Sequence, residues 1–462
     1  MRRAVILVVL LFASLSFLLL QIISIRGLYD QNSWTSRIGK AVGLGHFGAK
    51  KDSSAWKNLK SIADISLEFN VEFFIVDPEI LQDIVIDQLS VNSSSKYIWN
   101  FAPQFSSGCR HVCGKKRIVL GVFDDRWSVI RDNFMLALLR EGFQNNCCKD
   151  QDPRQITVDQ TLYSSIDLHC SFTSKGNNID IVIFYQRQAF LWHGSASEGT
   201  GKLDHAFGKS PGAYDKFTLT KTSVDDITIF IPKRPSNFVS EMKSSKFIEC
   251  DVKQARSFYY KYGEGGNPDA ELFMTQATGV LWKAKQALDG LGVRFWLSSG
   301  TCLGWYRQCG IIPHSKDVDI GIWIKDYDTR LIDRFNRYGL ILSHRFGKVE
   351  DSFELSFRTQ EEKIKLDIFF FYEEKDYMWN GGTQARTGKK FKYIFPKFTL
   401  CWTEFLSMKV RVPCDTNSYI EANYGQTWNV PVKTWDWKAS PPNVRPNGEW
   451  DKNEWREVIQ MM

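Results

Sequence analysis

No long block of lysine and arginine runs along this chain of 462 residues, although its formal net charge is +7. Nucleic-acid proteins gather their basic residues into a stripe, so a nucleic-acid partner is not expected. The dispersed charge instead suits mild attraction to phosphate-bearing substrates. Internal repeats and low-complexity tracts are also missing, so no repeat architecture is expected. The ten cysteines lack the tight pairs that a zinc site needs. Only Cys109 with Cys113 and Cys302 with Cys309 lie close, and Cys147-Cys148 are adjacent. Cys170, Cys250, Cys401 and Cys414 are scattered. In an oxidising compartment such cysteines form disulfides, whose connectivity stays open at the level of sequence.

Charge is absent from Ala4 to Ile25, between Arg2-Arg3 and Arg26. As a helix this run spans roughly 33 Å, enough to cross the hydrocarbon core of a bilayer. Its apolar character continues from Phe17-Leu-Leu-Leu20 to Ile22-Ile23, longer than a cleaved signal peptide requires. The expectation is a signal anchor over 4–25, with residues 1–3 cytoplasmic and the rest of the chain lumenal. The sequon Asn92-Ser-Ser94, expected in a polar loop, fits glycosylation on that side. Residues 26–60 carry Gly39, Gly43, Gly45 and Gly48 and read as a stem.

Hydrophobic residues make up 43% of the chain and charged residues 24%, which implies packed domains, and the length suits two. From 61 to 262 short apolar runs end at turn residues: Val71–Val76, Arg117–Phe123, Ile179–Tyr185 and Asp225–Ile231. They predict the buried strands of an α/β accessory domain. Asp124-Asp125 after the second run read as a solvated turn. A glycine-rich break at 263–268 opens a second α/β unit, 263–462. There Asp269 is expected to cap a helix with Phe273, Ala277, Val280, Leu281, Ala284 and Leu288 on one face, closed by Gly290 and Gly292. A strand over Val293–Leu297 follows.

The chemistry begins at the end of that strand. Ser298-Ser-Gly-Thr301 leads into a helix N-terminus, where Ser299, Gly300 and Thr301 can hold phosphate. A second strand then carries Asp317 and Asp319, one residue apart and facing the same way, with Val318, Ile320, Ile322 and Ile324 opposite. Adjacent carboxylates repel unless a cation lies between them, and oxygen ligands suit Mg²⁺ or Mn²⁺. In Lys365-Leu-Asp367-Ile-Phe-Phe-Phe371 a single acid sits in an apolar strand, a costly place unless paired or metal-bound. Asp367 is the natural third ligand, and the candidate proton acceptor for an attacking hydroxyl. Together these features resemble the nucleotidyltransferase fold.

Gly300-Thr-Cys-Leu-Gly-Trp-Tyr-Arg307, followed by Ile312-Pro-His-Ser-Lys-Asp-Val-Asp-Ile320, resembles the LicD-type phosphotransferase family. Ser315-Lys316 departs from the more acidic run that many members carry before the pair. Tyr419-Ile-Glu-Ala-Asn-Tyr-Gly-Gln-Thr-Trp428 resembles the closing motif of that family. Met378–Tyr393 and Lys433–Trp437 are similar to its fukutin branch. The resemblance implies a Golgi type II membrane protein acting beside other O-mannosyl glycan transferases. It implies transfer of ribitol 5-phosphate from CDP-ribitol to the terminal N-acetylgalactosamine of a phosphorylated O-mannosyl glycan on α-dystroglycan.

Arg307 and Lys316 lie near enough in sequence to reach donor phosphates, and His314 is expected to cap a turn. Lys389, Lys390 and Lys392 form a basic, aromatic stretch suited to a phosphate-bearing acceptor. Trp305, Trp379, Trp402, Trp435 and Trp437 are candidates for stacking on sugar or cytosine. Two other readings exist: a non-catalytic Golgi scaffold or chaperone, and a nucleotide-sugar glycosyltransferase. A scaffold has no need of clustered acids, and the Gly-Thr-x-Leu-Gly turn favours phosphotransfer over sugar transfer.

Overall fold

The computed structural model describes residues 53–93, 109–156, 158, 164–197, 207–263, 268–359, 364–432 and 434–462. The expected anchor at 4–25, residues 1–3 and most of the stem lie outside them. Among the described residues no helix is long and apolar enough to cross a membrane.

Two units, each built on a nine-stranded sheet with its own core, follow one another along the chain. In the first, Arg117–Phe123 and Asn177–Arg187 pair in parallel, with Ile118 opposite Ile179. Their runs of consecutive apolar residues suit strands buried on both faces. The run at 71–76 contributes only Phe74–Ile75. The strand expected from Asp225 starts at Ile227 instead. Asp225 and Asp226 take left-handed backbone angles (φ 48° and 65°) in the turn before it, a conformation that aspartate tolerates better than most residues.

Two further expectations change. Asp124 and Asp125 form the first turn of the helix Asp124–Arg140 rather than a loop, so their charge complements the helix dipole. Asp124 also pairs with Arg154 at 2.8 Å. Asn92 falls in the last turn of the helix Pro78–Ser93, not in a loop. Ile80, Leu81 and Ile84 seat one face of that helix on the core, and it runs on to the serines.

The second unit opens with α1 (Pro268–Asp289), and Pro268 rather than Asp269 is its first residue. The six apolar residues expected on one face are all buried. Then come β1 (Phe295–Leu297), α2 (Ser299–Gln308) and β2 (Asp317–Trp323). β3 (Leu340–Lys348), β4 (Asp351–Thr359), β5 (Lys365–Glu373), β6 (Tyr377–Gln384) and β7 (Lys389–Pro396) form a run of antiparallel neighbours. β2 joins this sheet in parallel beside β5. A further helix, α3 (Thr416–Tyr424), packs its buried Tyr419 against Phe395 on β7.

Eight cysteines pair as Cys109–Cys113, Cys147–Cys170, Cys250–Cys309 and Cys401–Cys414, and Cys148 and Cys302 are buried outside these disulfides. The Cys250–Cys309 bond fastens the helix Val252–Tyr262 to the end of α2. Gln254 reinforces it by donating to the Tyr306 carbonyl at 2.7 Å. Across the two units, the buried Arg187 pairs with Glu249 at 2.5 Å and Glu404 at 3.3 Å.

Candidate active site

Strand alternation sends Asp317 and Asp319 to one face of β2, and the parallel register sets Asp319 directly opposite Asp367 on β5. Carboxylate oxygens of all three lie within 4.8 Å of one another. Val318, Ile320 and Ile322 are buried on the other face, while Ile324 has already left the strand for a short turn. Gly321 makes room for this arrangement: a Cβ there would lie 2.3 Å from the Trp296 ring of β1.

Hydrogen bonds hold each acid. The Asp319 carboxylate accepts from the Gly300 N–H at 3.0 Å. The Asp319 N–H donates to Thr301 Oγ1 at 2.8 Å, and its carbonyl accepts from the Ser298 N–H at 3.0 Å. Ser315 Oγ donates to Asp317 at 3.0 Å. Asp367 accepts from Ser356 Oγ and from Lys365 Nζ, each at 2.6 Å. The N-terminus of α2 therefore grips Asp319 with one of its own amides, so only part of it faces a ligand.

Burial raises the Asp319 carboxyl well above the usual range, and repulsion from Asp317 and Asp367 adds to the rise. Asp367 is raised too, by burial, against the opposing pull of Lys365 and Ser356. Three convergent carboxylates with one ammonium among them make an oxygen donor set that fits a divalent cation of the Mg²⁺ or Mn²⁺ kind.

The triad lies on the wall of a cavity of about 500 Å³, a volume suited to a small-molecule substrate. Ser299, Gly300, Arg307 and His314 share that wall. Arg307 is 4% exposed, stacks on Phe258 at 4.5 Å, and among the described residues donates to the Gln308 amide oxygen alone. Burial pushes its guanidinium down to about 10, still cationic at neutral pH. Thr301 is committed to Asp319, and Lys316 is exposed away from the cavity wall. Lys390 pairs with Asp351 at 2.6 Å and lies over Trp450; Lys392 meets Glu374 and lies over Trp379; Lys389 faces Glu449. None of the three lines the cavity. Trp435 and Trp437 do line it, 41% and 40% exposed, whereas Trp305 is core, Trp379 stacks on Tyr372, and Trp402 lies beneath Lys409 and Arg411.

Several wall residues escaped the sequence reading. Glu354 on β4 is one; its carboxyl is pushed up to about 8, by burial first and then by Asp367. Asn380 on β6 is 5% exposed, and its side-chain oxygen has no hydrogen-bond partner among the described residues. Tyr424 at the end of α3, and Trp428 and Val432 in the segment after it, also line the cavity. The alternation Ser352-Phe-Glu-Leu-Ser-Phe-Arg358 is the signal that marks Glu354 and Ser356 as sharing a face.

A cavity walled by three strand-borne acids and the N-terminus of a short helix defines a nucleotidyltransferase-type catalytic domain. Residues 292–415 match the family model for the LicD/FKTN/FKRP nucleotidyltransferase domain, and residues 1–278 match the Fukutin N-terminal model. The chain is 47% identical over 428 residues to mouse ribitol-5-phosphate transferase FKTN, covering 89% of each. It is 46% identical over 426 residues to the human ribitol-5-phosphate transferase FKTN, again covering 89% of each. A shorter likeness, 30% over 95 residues, links 20% of the chain to 19% of mouse ribitol 5-phosphate transferase FKRP. The chain belongs to the fukutin family, a family of transferases.

Proposed function

We propose that this protein transfers ribitol 5-phosphate from CDP-ribitol to the terminal N-acetylgalactosamine of a phosphorylated O-mannosyl glycan on α-dystroglycan, releasing CMP. One observation carries the reading: Asp317, Asp319 and Asp367 converge within 4.8 Å on the wall of a substrate-sized cavity. The family's ribitol-5-phosphate transferases supply the name of the transferred group.

The three aspartates would hold a divalent cation, which when bound neutralises charge on the donor's phosphates. Arg307, cationic, on the cavity wall and without a carboxylate partner among the described residues, receives a donor phosphate. Ser299 and Gly300 place backbone next to the same group. Trp435 and Trp437 offer half-exposed rings on which a sugar or the cytosine stacks. The uncharged run at 4–25 anchors the body in the Golgi membrane as a type II protein; the stem stops short of residue 60, because the helix Ser54–Glu68 already buries Ala55 and Leu59 in the core of the accessory unit, which runs to 262 and is followed by the catalytic unit to 462. Asn92 is the expected glycan acceptor on the lumenal side.

Asp317→Ala and Asp319→Ala are each expected to abolish transfer while circular dichroism shows an unchanged fold. Wild-type activity in either folded variant contradicts the assignment of the triad.

A further inference from the structure

Asp367 is badly placed to take the proton of the attacking hydroxyl. One of its carboxylate oxygens accepts from Ser356, the other is paired with Lys365, and Asp319 stands opposite. With both oxygens so engaged, and assigned to a cation as well, the carboxylate has no free oxygen to turn toward an incoming hydroxyl.

Another carboxylate on the wall is not engaged in this way. Glu354 lies on β4, directly opposite Phe369 on β5 and Phe346 on β3. All three side chains line the cavity, so the glutamate is set in an aromatic row. Ser356, two residues further along β4, is opposite Asp367. Glu354 is thus diagonal to Asp367, a separation of about 7–8 Å between backbones in an antiparallel pair. Its oxygens are not part of the cluster within 4.8 Å. Glu354 and the triad therefore line one cavity without forming one cluster.

We propose that Glu354 is the general base of the reaction, accepting the proton of the acceptor hydroxyl as that oxygen bonds to phosphorus. In the step, the hydroxyl oxygen forms a bond to the ribitol-linked phosphorus, and the bond from that phosphorus to the bridging oxygen breaks. CMP leaves with the electron pair, and the hydroxyl proton passes to the Glu354 carboxylate and then to solvent. This inference rests on the phosphotransfer reading above.

The test compares wild type, Glu354→Gln and Glu354→Asp as the whole lumenal body, with CDP-ribitol, Mn²⁺ and a phosphorylated glycopeptide. A general base is worth about 10²–10⁴-fold in rate. The glutamine variant should lose kcat by about that factor. Its melting point, its CDP-ribitol Kd by calorimetry and its KM for the glycopeptide should stay near wild type. The aspartate variant, which keeps a base one methylene further back, should be faster than the glutamine variant. Wild-type kcat in Glu354→Gln overturns the base assignment alone. Loss of donor affinity in step with the rate also overturns it, because that marks a binding role. A misfolded glutamine variant leaves the aspartate variant to decide: folded and active but slower than wild type agrees with a base, whereas folded and inactive, or folded with the wild-type rate, overturns it. A wild-type protein that transfers nothing from CDP-ribitol overturns the phosphotransfer reading, and the base with it.

Discussion

Asp319 is buried, faces two other acids and has one ammonium within reach. Its raised pKa is a statement about stability. A carboxyl whose folded pKa lies above the ordinary value of 3.8 contributes stability that is fully present below that value and is lost as pH rises through the folded pKa. Metal-free wild type should therefore lose stability between acid and neutral pH relative to Asp319→Asn, which has no charge to bury. At pH 7.5 the variant should melt roughly 2–4 °C higher than metal-free wild type. Mn²⁺ should raise the melting point of wild type and leave that of the variant unchanged. Superimposable pH–stability curves for the two proteins would show that the site carries no such strain. At this scale the sequence reveals the acids but not their partners. The Asp-x-Asp spacing and the lone charge in an apolar strand are local patterns. Lys365 and Ser356 touch Asp367 through the strand itself and through cross-strand register, and register is a tertiary property.

Helix α2 is the element on which the acids depend. It begins at Ser299, whose backbone is left-handed (φ 39°), and ends at Cys309, also left-handed (φ 52°) and bonded to Cys250. In between, Gly304 lets the returning chain pass close by: a Cβ there would meet the Gly310 carbonyl oxygen at 2.5 Å. Gly304→Ala should cost about 1–3 kcal/mol, as overpacking against backbone does, and should slow transfer because the displaced segment leads directly into Asp317. Urea denaturation measures the first effect; an unchanged midpoint would contradict the close approach. The strand, turn, short helix and acid-bearing strand were legible because each has its own period or turn chemistry. α1 was legible for the same reason, from Phe273 to Leu288. Asp225-Asp226 were misplaced into a strand because apolar neighbours mask a left-handed turn, and Asn92 was misplaced into a loop because serines conceal a helix end. The aromatic cover from Trp428 to Trp437 has no periodicity at all, and only the fold brings it to the cavity.

At the scale of the whole molecule the two units are joined by more than the chain. Arg187 belongs to the first sheet, and it meets Glu249 near the end of the first unit and Glu404 in the second, with its guanidinium over Trp192 and Phe247. Lys409 reaches back to Asp215 at 2.5 Å. Arg187→Met should leave two carboxylates without their cation and cost about 1–3 kcal/mol. Limited proteolysis should then cut faster between 240 and 265, while Asp319-dependent Mn²⁺ binding persists; unaltered cleavage would mean that the join does not rest on Arg187. The sequence showed two units and which one bears the acids, but not this clasp, whose members are separated by 62 and 217 residues. The central claim is that the triad moves a ribitol phosphate and not a sugar. Its most direct test offers the purified lumenal body CDP-ribitol, CDP-glycerol and a nucleotide-sugar side by side, with Mn²⁺ or with EDTA, and weighs the glycopeptide product by mass spectrometry. The account predicts the addition of one ribitol phosphate from CDP-ribitol with Mn²⁺ and nothing with EDTA. Addition of a hexose, or ribitol phosphate transfer that persists in EDTA, would contradict it.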